Sequence, residues 1–301
     1  MSALGDTDTV RAKELVDRRE PFVRATVVRA QHPTSAHAGD TAIVRENGEI
    51  DGFVGGNCVE ASVREYSLRA LTTREPLLLR VVPGEPSRVH EEGAVEVANP
   101  CLSGGAIEIF LEPQLPPARV VVVGATPVAK ALARLGGELG LEMELTDGTS
   151  ATPKADDAAL VVASHGRDEE PALTAALRAG VPYVALVASA TRGAAVLASL
   201  DVDEEQRSRV YSPAGLRIGA NTPSEIALSI LAQLIAERAA GSAAAVPVPE
   251  PATAIDPLCG MTVAAVEASL HVERGGVTTY FCSPGCRDAF LADPDRYAVP
   301  S

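Results

Sequence analysis

Three cysteines near the end of the chain have the spacing of a soft-metal site. Cys259, Cys282 and Cys286 form a C-x22-C-x3-C pattern, with His271 between the first two. Thiolates from separate loops bind zinc or copper, and a segment this short gains stability from a bound metal. The pattern predicts the three cysteines as metal ligands and His271 as a candidate fourth. The alternative is a docking module in which the cysteines only pack a small core.

Two further cysteines lie far upstream, each beside a Gly-Gly pair. Cys58 follows Gly55 and Gly56 at the predicted start of a helix, where the helix dipole favours the thiolate. Cys101 lies in a second glycine-rich loop, before a predicted strand. Adjacent glycines let a ligand approach the backbone closely. We therefore expect Cys58 and Cys101 to converge on one soft ligand. The alternative for each is a small buried side chain.

The composition excludes several classes of protein. A chain of 301 residues is long enough for two or three domains, and its formal charge of −14 would repel nucleic acid and anionic membranes. No apolar run reaches the length of a membrane span, and no basic-then-apolar segment opens the chain. Five cysteines, three of them clustered, fit a reducing compartment. We expect a cytoplasmic protein without nucleic-acid or membrane partners.

Hydrophobic patterns predict a mixed α+β domain over residues 1–113. Asn47-Gly48, between two β-branched runs, is the strongest short hairpin signal. A helical pattern follows Cys58, and residues 114–117 are predicted to form a linker. The other predicted helix lies at residues 6–19, and the predicted strands lie at 22–29, 41–45, 50–54, 77–82 and 106–112.

Residues 119–240 are predicted to form a Rossmann-like domain. The continuous apolar strand at 119–124 is typical of a parallel sheet buried on both faces. Strands and helices alternate after it, as in a doubly wound sheet. Thr222, Pro223 and Glu225 are predicted to cap a last helix that ends near residue 238. The remaining predicted helices lie at 128–139, 169–179 and 191–200, and the strands at 141–146, 159–163 and 182–187.

A Pro/Ala-rich stretch at 241–254 lacks periodicity and is predicted to be a semi-extended linker. The cysteine-rich residues 255–301 follow it as a third unit, with His271 in a predicted strand at 269–273. The predicted fold class is therefore α/β, with a mixed N-terminal domain, a Rossmann-like domain and a small C-terminal domain.

The first turn of the Rossmann-like domain departs from the dinucleotide pattern. Gly124 keeps the first glycine of G-x-G-x-x-G, but Thr126 replaces the second and Pro127 removes an amide donor. Asp147 follows the next strand, near where a ribose-binding acid belongs. Three interpretations stay open: a structural turn, a phosphate or pterin-phosphate site, and a site for an NAD-type nucleotide.

Two loop residues after later strands are further candidates. His165 follows the strand at 159–163, at the edge where doubly wound folds bind ligands. Arg192 follows the strand at 182–187 and could pair with a phosphate. Either residue could instead be a solvated loop side chain.

Long stretches of the chain resemble the XdhC/CoxF family, accessory proteins that mature molybdenum hydroxylases such as xanthine dehydrogenase and aerobic carbon monoxide dehydrogenase. The N-terminal domain of that family is similar to residues 20–112, and its Rossmann-like domain to residues 119–238. Residues 255–301 resemble a YHS domain, close to the TRASH-type metal-binding pattern. The matching stretches are 25–30, 39–44, 52–60, 101–113, 121–125, 182–187, 213–232, 256–261, 280–286 and 290–297.

The resemblance implies an accessory chaperone. Such a protein binds the molybdenum cofactor as cargo, protects it while its terminal sulfur is installed, and inserts it into an apo molybdenum hydroxylase. A cysteine desulfurase is then a second partner, and a homodimer is left open. Cys58 maps onto the loop cysteine of the family. The candidate cofactor-binding residues are Gly55, Gly56, Cys58, Cys101, Gly124, Asp147, His165 and Arg192.

The first hypothesis is thus a maturation chaperone without catalytic residues of its own. A second is a metallochaperone that carries copper or zinc on the C-terminal domain. A third is a nucleotide-dependent oxidoreductase, which the broken glycine pattern disfavours.

Overall fold

The computed structural model describes residues 4–86, 91–99, 105–244 and 251–297. The chain forms two compact units. Unit 1 combines Met1–Pro116 with Pro247–Ser301, and unit 2 is Pro117–Val246. The cysteine-rich segment, predicted to be a third unit on a tether, therefore packs with the N-terminal domain.

The N-terminal part of unit 1 is built on a six-stranded sheet. Its strand order is β3-β2-β1-β6-β4-β5, and every pair is antiparallel except β4 with β5. Strand β5 was not predicted, and the second strand of the Asn-Gly hairpin is shorter than expected. The elements are α1 (Leu4–Asp17), β1 (Phe22–Gln31), β2 (Thr41–Arg45), β3 (Ile50–Gly52), α2 (Asn57–Thr73), β4 (Leu77–Pro83), β5 (Ala94–Asn99) and β6 (Ala106–Gln114).

Helices cover both faces of this sheet. Side chains alternate along β1, so Phe22 lies on one face while Val23 and Ala25 lie on the other. Phe22 packs in a cluster with Leu15 of α1. Val23 and Ala25 belong to the larger core that includes Val63 of α2. This packing fixes α2, and with it the position of Cys58, against the sheet.

Unit 2 has the doubly wound fold that the sequence predicts. Its five-stranded sheet is parallel throughout, in the order β11-β10-β9-β7-β8. Helix α6 and strand β11 were not predicted. The elements are β7 (Arg119–Val123), α3 (Pro127–Glu138), β8 (Glu142–Thr146), β9 (Ala159–Val162), α4 (Glu169–Ala179), β10 (Val184–Leu186), α5 (Ala190–Ser199), α6 (Glu204–Ser208), β11 (Val210–Tyr211) and α7 (Pro223–Ala244).

The central strand β7 is buried on both faces. Val120 and Val122 pack in the core that contains α3 and α7 residues, and Val121 and Val123 pack in the core that contains α4 residues. A strand between two helical layers has no solvent face, which explains its continuous run of valines.

Helix α7 begins with the predicted capping box. The Glu225 amide donates to Thr222 Oγ1 at 3.3 Å, and the Thr222 amide donates to Glu225 Oε2 at 2.9 Å. The helix continues to Ala244, past the predicted end at residue 238. Most of the predicted linker lies either in this helix or at residues 245–250, outside the described residues.

The C-terminal part of unit 1 is small. Strands β12 with β13 and β14 with β15 form two antiparallel pairs. The Phe281 and Phe290 rings pack at a centroid distance of 5.2 Å, and Tyr297 lies beside Phe290. The elements are β12 (Thr253–Ile255), β13 (Thr262–Ala264), β14 (Leu270–Arg274), β15 (Val277–Phe281), α8 (Pro284–Ala292) and a 3-10 helix (Pro294–Tyr297).

Within the described ranges, no helix has the length and apolarity needed to cross a membrane.

A buried ion pair links strand β7 of unit 2 to strand β8 and to the loop before β9. Arg119 donates to Asp157 Oδ1 at 2.6 Å and to Glu144 Oε2 at 2.8 Å. Asp157 is buried and also accepts the Lys154 amide at 2.7 Å. Without Asp157, the buried Arg119 would be left with Glu144, whose side chain is 40% exposed, and its charge would be less well compensated.

We therefore expect Asp157→Ala to lower the free energy of opening the unit 2 sheet by about 3 kcal/mol. Native-state hydrogen exchange of the β7 and β9 amides measures this quantity. Asp156→Ala is the matched control, because its side chain is exposed. Equal, small effects of the two substitutions would contradict a structural role for the ion pair.

Candidate functional site

The three C-terminal cysteines converge, as their spacing predicts. The Cys259 and Cys282 sulfurs lie 3.5 Å apart, and the Cys282 and Cys286 sulfurs 3.8 Å apart. Cys259 comes from the β12–β13 turn, Cys282 from the end of β15, and Cys286 from the first turn of α8. Ser283 caps α8 by accepting the Cys286 amide at 3.3 Å, which fixes the third thiol.

A buried carboxylate completes the group. The side-chain ligand atoms of Asp256 and the three cysteines all lie within 4.8 Å of one another. Asp256 is fully buried and accepts two backbone amides at 2.9 Å, from Leu258 to Oδ1 and from Cys282 to Oδ2. Asp256 is not among the site residues predicted from the sequence. The Asp-Pro pair ahead of Cys259 was the available signal, since aspartate often bonds to the backbone two residues later.

The sulfur spacing fits a tetrahedral metal. Metal–sulfur bonds of about 2.3 Å at tetrahedral angles place sulfurs about 3.8 Å apart. The observed separations of 3.5 and 3.8 Å are close to that value and far longer than a disulfide bond. The described cysteines are free thiols. The donor set therefore suits a soft ion such as zinc or copper(I).

The site holds its thiols protonated when no cation is present. The hydrogen bond with Cys282, followed by burial, raises the pKa of Cys259. At Cys282 the bond with Cys259 lowers the pKa, but a bond with Cys58 and burial outweigh it and leave the pKa raised. Burial also raises the pKa of Cys286. A metal would reverse this balance, because a cation stabilises thiolates.

The structure does not group His271 with the three cysteines. Its Nδ1 lies 2.8 Å from the Ser269 carbonyl oxygen, and its ring lies beside Tyr280 on the neighbouring strand. Among the described residues, the fourth side chain in the cluster is Asp256. His271 pairs with Tyr280, next to the end pair Leu270 and Phe281 of the β14–β15 hairpin, but its Nδ1 is directed at the Ser269 carbonyl.

Cys58 lies at the first turn of α2, as predicted. Gly56 is the N-cap, and Gly55 has φ +141°, where a Cβ would come within 3.0 Å of Val59. Cys58 is only 7% exposed. It packs in the same buried cluster as Cys282, so the two sites, predicted separately from the sequence, are adjacent in unit 1.

Cys101 lies outside the described residues. Its convergence with Cys58 therefore stays a prediction.

The first turn of unit 2 is held tightly to the neighbouring strand. Gly124 has φ +118°, and a Cβ there would lie 2.5 Å from the Ala163 carbonyl oxygen. Thr126 caps α3 by accepting the Ala129 amide, and its hydroxyl donates to Ala163 O at 2.7 Å. The side chain at the second-glycine position thus stabilises the turn itself.

Asp147 is exposed and organises its own loop. Its Oδ1 accepts the Thr149 and Ser150 amides at 3.0 and 2.8 Å. The Thr149 hydroxyl bond, followed by bonds from Ser150, lowers the pKa of Asp147. Oδ2 of Asp147 accepts the Ser150 hydroxyl at 3.1 Å. Both carboxylate oxygens are therefore hydrogen bonded within the loop.

Arg192 pairs with a buried carboxylate. Its guanidinium lies 2.5 Å from Glu169 Oε2 and donates to the Val187 carbonyl at 2.9 Å. Glu169 also accepts the Ser164 hydroxyl and the Gly166 amide. A phosphate at Arg192 would compete with this carboxylate. His165, in the same loop, is exposed with φ +57°. Glu169, which the sequence analysis missed, is the residue that holds this loop together.

The fold and the thiol cluster define a class of protein. A Rossmann-like α/β domain occurs with a mixed-sheet domain, and a cysteine-rich segment packs at the glycine-rich loop of the latter. Family models match all three parts: the XdhC and CoxI family at residues 15–82, the XdhC Rossmann domain at 120–234, and the YHS domain at 254–301. The two XdhC models together match more than half of the chain. The chain belongs to the XdhC and CoxI family and carries a YHS domain.

Curated relatives support this assignment. The chain is 29% identical over 252 residues to the uncharacterized protein YqeB of Escherichia coli, covering 74% of this chain and 45% of that protein. It is 29% identical over 155 residues to a probable xanthine dehydrogenase subunit from Bacillus subtilis, covering 43% and 46%. The chain thus spans about half the length of the curated relatives it matches.

A solved structure is also similar. It is a xanthine dehydrogenase from Bacillus halodurans, with 16% identity and a TM-score of 0.40 over 80% of this chain and 98% of that chain.

Replacement of Asp256 tests whether this carboxylate stabilises the cysteine cluster. Asp256→Ala removes the acceptor of two backbone amides, one of them on the buried Cys282, and each unsatisfied buried group costs about 1–3 kcal/mol. We expect peptides within 253–297 to lose hydrogen-exchange protection by about 2 kcal/mol or more. Asp288→Ala on α8, with an exposed carboxylate, is the control and should have little effect. Unchanged protection in Asp256→Ala would refute this role.

Proposed function

We propose that this chain takes part in the maturation of a xanthine dehydrogenase-type molybdenum hydroxylase, in the cytoplasm, as a carrier of the molybdenum cofactor. The XdhC-type domains support the proposal, as does the name of the Bacillus subtilis relative. The partners in this proposal are the apo hydroxylase and the cysteine desulfurase that supplies the terminal sulfur.

The observation that carries the proposal is the position of Cys58. Its thiol lies in the first turn of α2, where free amide groups and the helix dipole favour an anion. Gly56 has open space around its Cα, so a ligand can approach the backbone there. The cofactor is an anionic dithiolene pterin, and a soft thiolate beside amide donors suits its metal and its charge.

Cargo at Cys58 requires a conformational change in unit 1. The thiol is buried against Cys282, with Ala61 and Val263 in the same cluster. A bulky cofactor at Cys58 would therefore displace the C-terminal segment from α2. In this scheme the chain binds, shields and releases the cofactor without performing a reaction on it.

The test is the pterin content of the protein purified anaerobically together with the cofactor. Cys58→Ala is expected to lose bound pterin, measured by fluorescence after oxidation, while the far-ultraviolet circular dichroism stays unchanged. Cys286→Ala removes a thiol of the cluster that is not at the glycine-rich loop, and it should retain pterin. A wild type without pterin, or equal loading of Cys58→Ala, would refute the proposal.

A second function, copper or zinc delivery, is favoured by the donor set of the YHS domain. Sulfur separations near those of a tetrahedral ion, with a buried carboxylate alongside, support metal binding. The oxidoreductase hypothesis has less support, because the Thr126 side chain fills the position where a dinucleotide needs glycine.

Metal binding is tested by elemental analysis of the reduced protein. We expect about one zinc or copper per chain, and its loss when Cys282 and Cys286 are both replaced by serine. Asp288→Ala, which changes an exposed side chain on the same helix as Cys286, should keep the metal. A metal-free wild type after zinc or copper loading and desalting would contradict metal delivery.

A further inference from the structure

The C-terminal segment docks on the N-terminal domain through small residues. Cys58 and Ala61 of α2 share a buried cluster with Val263 and Cys282. A second contact lies at the β2–β3 turn, where a Cβ on Gly48 would come within 2.8 Å of Val266. Two separate contacts within one compact unit fix the orientation of the segment relative to α2.

This docking brings together four thiols. Cys282 is central, since its sulfur lies 3.5 Å from that of Cys259 and 3.8 Å from that of Cys286, and it shares a buried cluster with Cys58. Cys58 and Cys282 are buried, and Cys259 and Cys286 are half-buried. A soft divalent or monovalent ion commonly takes four ligands in a structural site, and four thiolates form one of the common donor sets.

The fourth ligand has two candidates, Asp256 and Cys58. Both oxygens of Asp256 already accept backbone amides, so this carboxylate positions the Cys259 turn and Cys282. Cys58 supplies a softer donor and lies in the first turn of α2, where backbone amides have no helical acceptor. Four thiolates around one ion carry excess negative charge, which makes a helix N-terminus a favourable neighbour.

We propose that Cys58 completes a four-thiolate site for a soft metal ion, shared between the start of α2 and the YHS domain. The metal then links the two parts of unit 1 as well as filling the C-terminal cluster. Cys58 shifts toward Cys259 and Cys286 when the ion enters, because the group within 4.8 Å does not yet include it. This site concerns metal binding and not the proposed binding of the molybdenum cofactor, and measurements of metal binding alone test it.

Cobalt(II) titration of the reduced, metal-free full chain tests the proposal. Each thiolate contributes to the sulfur-to-cobalt charge-transfer absorption, so Cys58→Ala should lose about a quarter of that intensity. Its zinc affinity, measured by competition with a chromophoric chelator, should fall about tenfold or more. Cys259→Ala should show similar losses.

Asn57→Ala is the matched control. Asn57 is the exposed neighbour of Cys58 in the same helical turn, and its replacement should change neither the absorption nor the affinity. Full intensity and affinity in Cys58→Ala, with losses in Cys259→Ala, would overturn the proposal.

A measurement on the wild type avoids the risk that a variant misfolds. X-ray absorption at the zinc edge counts the ligands, with sulfur at about 2.3 Å and oxygen at about 2.0–2.2 Å. We expect a shell of four sulfurs. Three sulfurs with one oxygen or nitrogen would overturn the proposal. Pterin loading is measured separately, so failure of the metal site leaves the cofactor proposal to its own test.

Discussion

The contact between the first turn of α2 and the end of β15 governs the organisation of unit 1. A cysteine-rich segment with two short strand pairs and a few aromatic residues buries little apolar surface by itself. Docking on α2 places Val263 and Cys282 in a buried cluster with Cys58 and Ala61. The contact depends on small residues, because Cys58 and Ala61 leave room on the helix and Gly48 leaves room at the hairpin turn. Larger side chains at these positions would separate the segment from the domain.

Unit 2 follows a different constraint, the close packing of its loops against the sheet. Gly124 and Thr126 both contact the Ala163 carbonyl, so the turn after β7 cannot loosen without disturbing the end of β9. Glu169 holds the next loop through Ser164, Gly166 and Arg192. Doubly wound folds bind ligands at this edge of the sheet. Here these polar groups are already hydrogen bonded within the protein. A ligand there would have to exchange contacts with the protein, whereas the Gly56 backbone in unit 1 is open.

Local patterns in the sequence were enough to predict most of the fold. The capping box at Thr222 and the Asn47-Gly48 hairpin arise from interactions between near neighbours, and the valine run of β7 is the local sign of a strand buried on both faces. Strands β5 and β11 were missed because their pairing partners, not their own composition, make them strands. The convergence of the C-terminal cysteines was also predictable from spacing. By contrast, Asp256 and Glu169 hold their loops because they are buried in the folded protein. The packing of Cys58 with Cys282 joins segments that are far apart in the sequence. No local pattern encodes such contacts.

Because Cys58 lies beside Cys282, binding of the proposed metal ion and binding of the proposed molybdenum cofactor affect each other. An ion held by thiols of both parts of unit 1 binds only the docked arrangement, so it stabilises docking by an amount that grows with metal concentration. A cofactor held by Cys58 needs the segment displaced, because the thiol is buried when the segment is docked. Linkage then requires the two ligands to oppose each other: metal weakens cofactor binding by the same factor by which cofactor weakens metal binding. The YHS domain would therefore act on the cofactor site through a shared sulfur, without any contact between the metal and the cofactor.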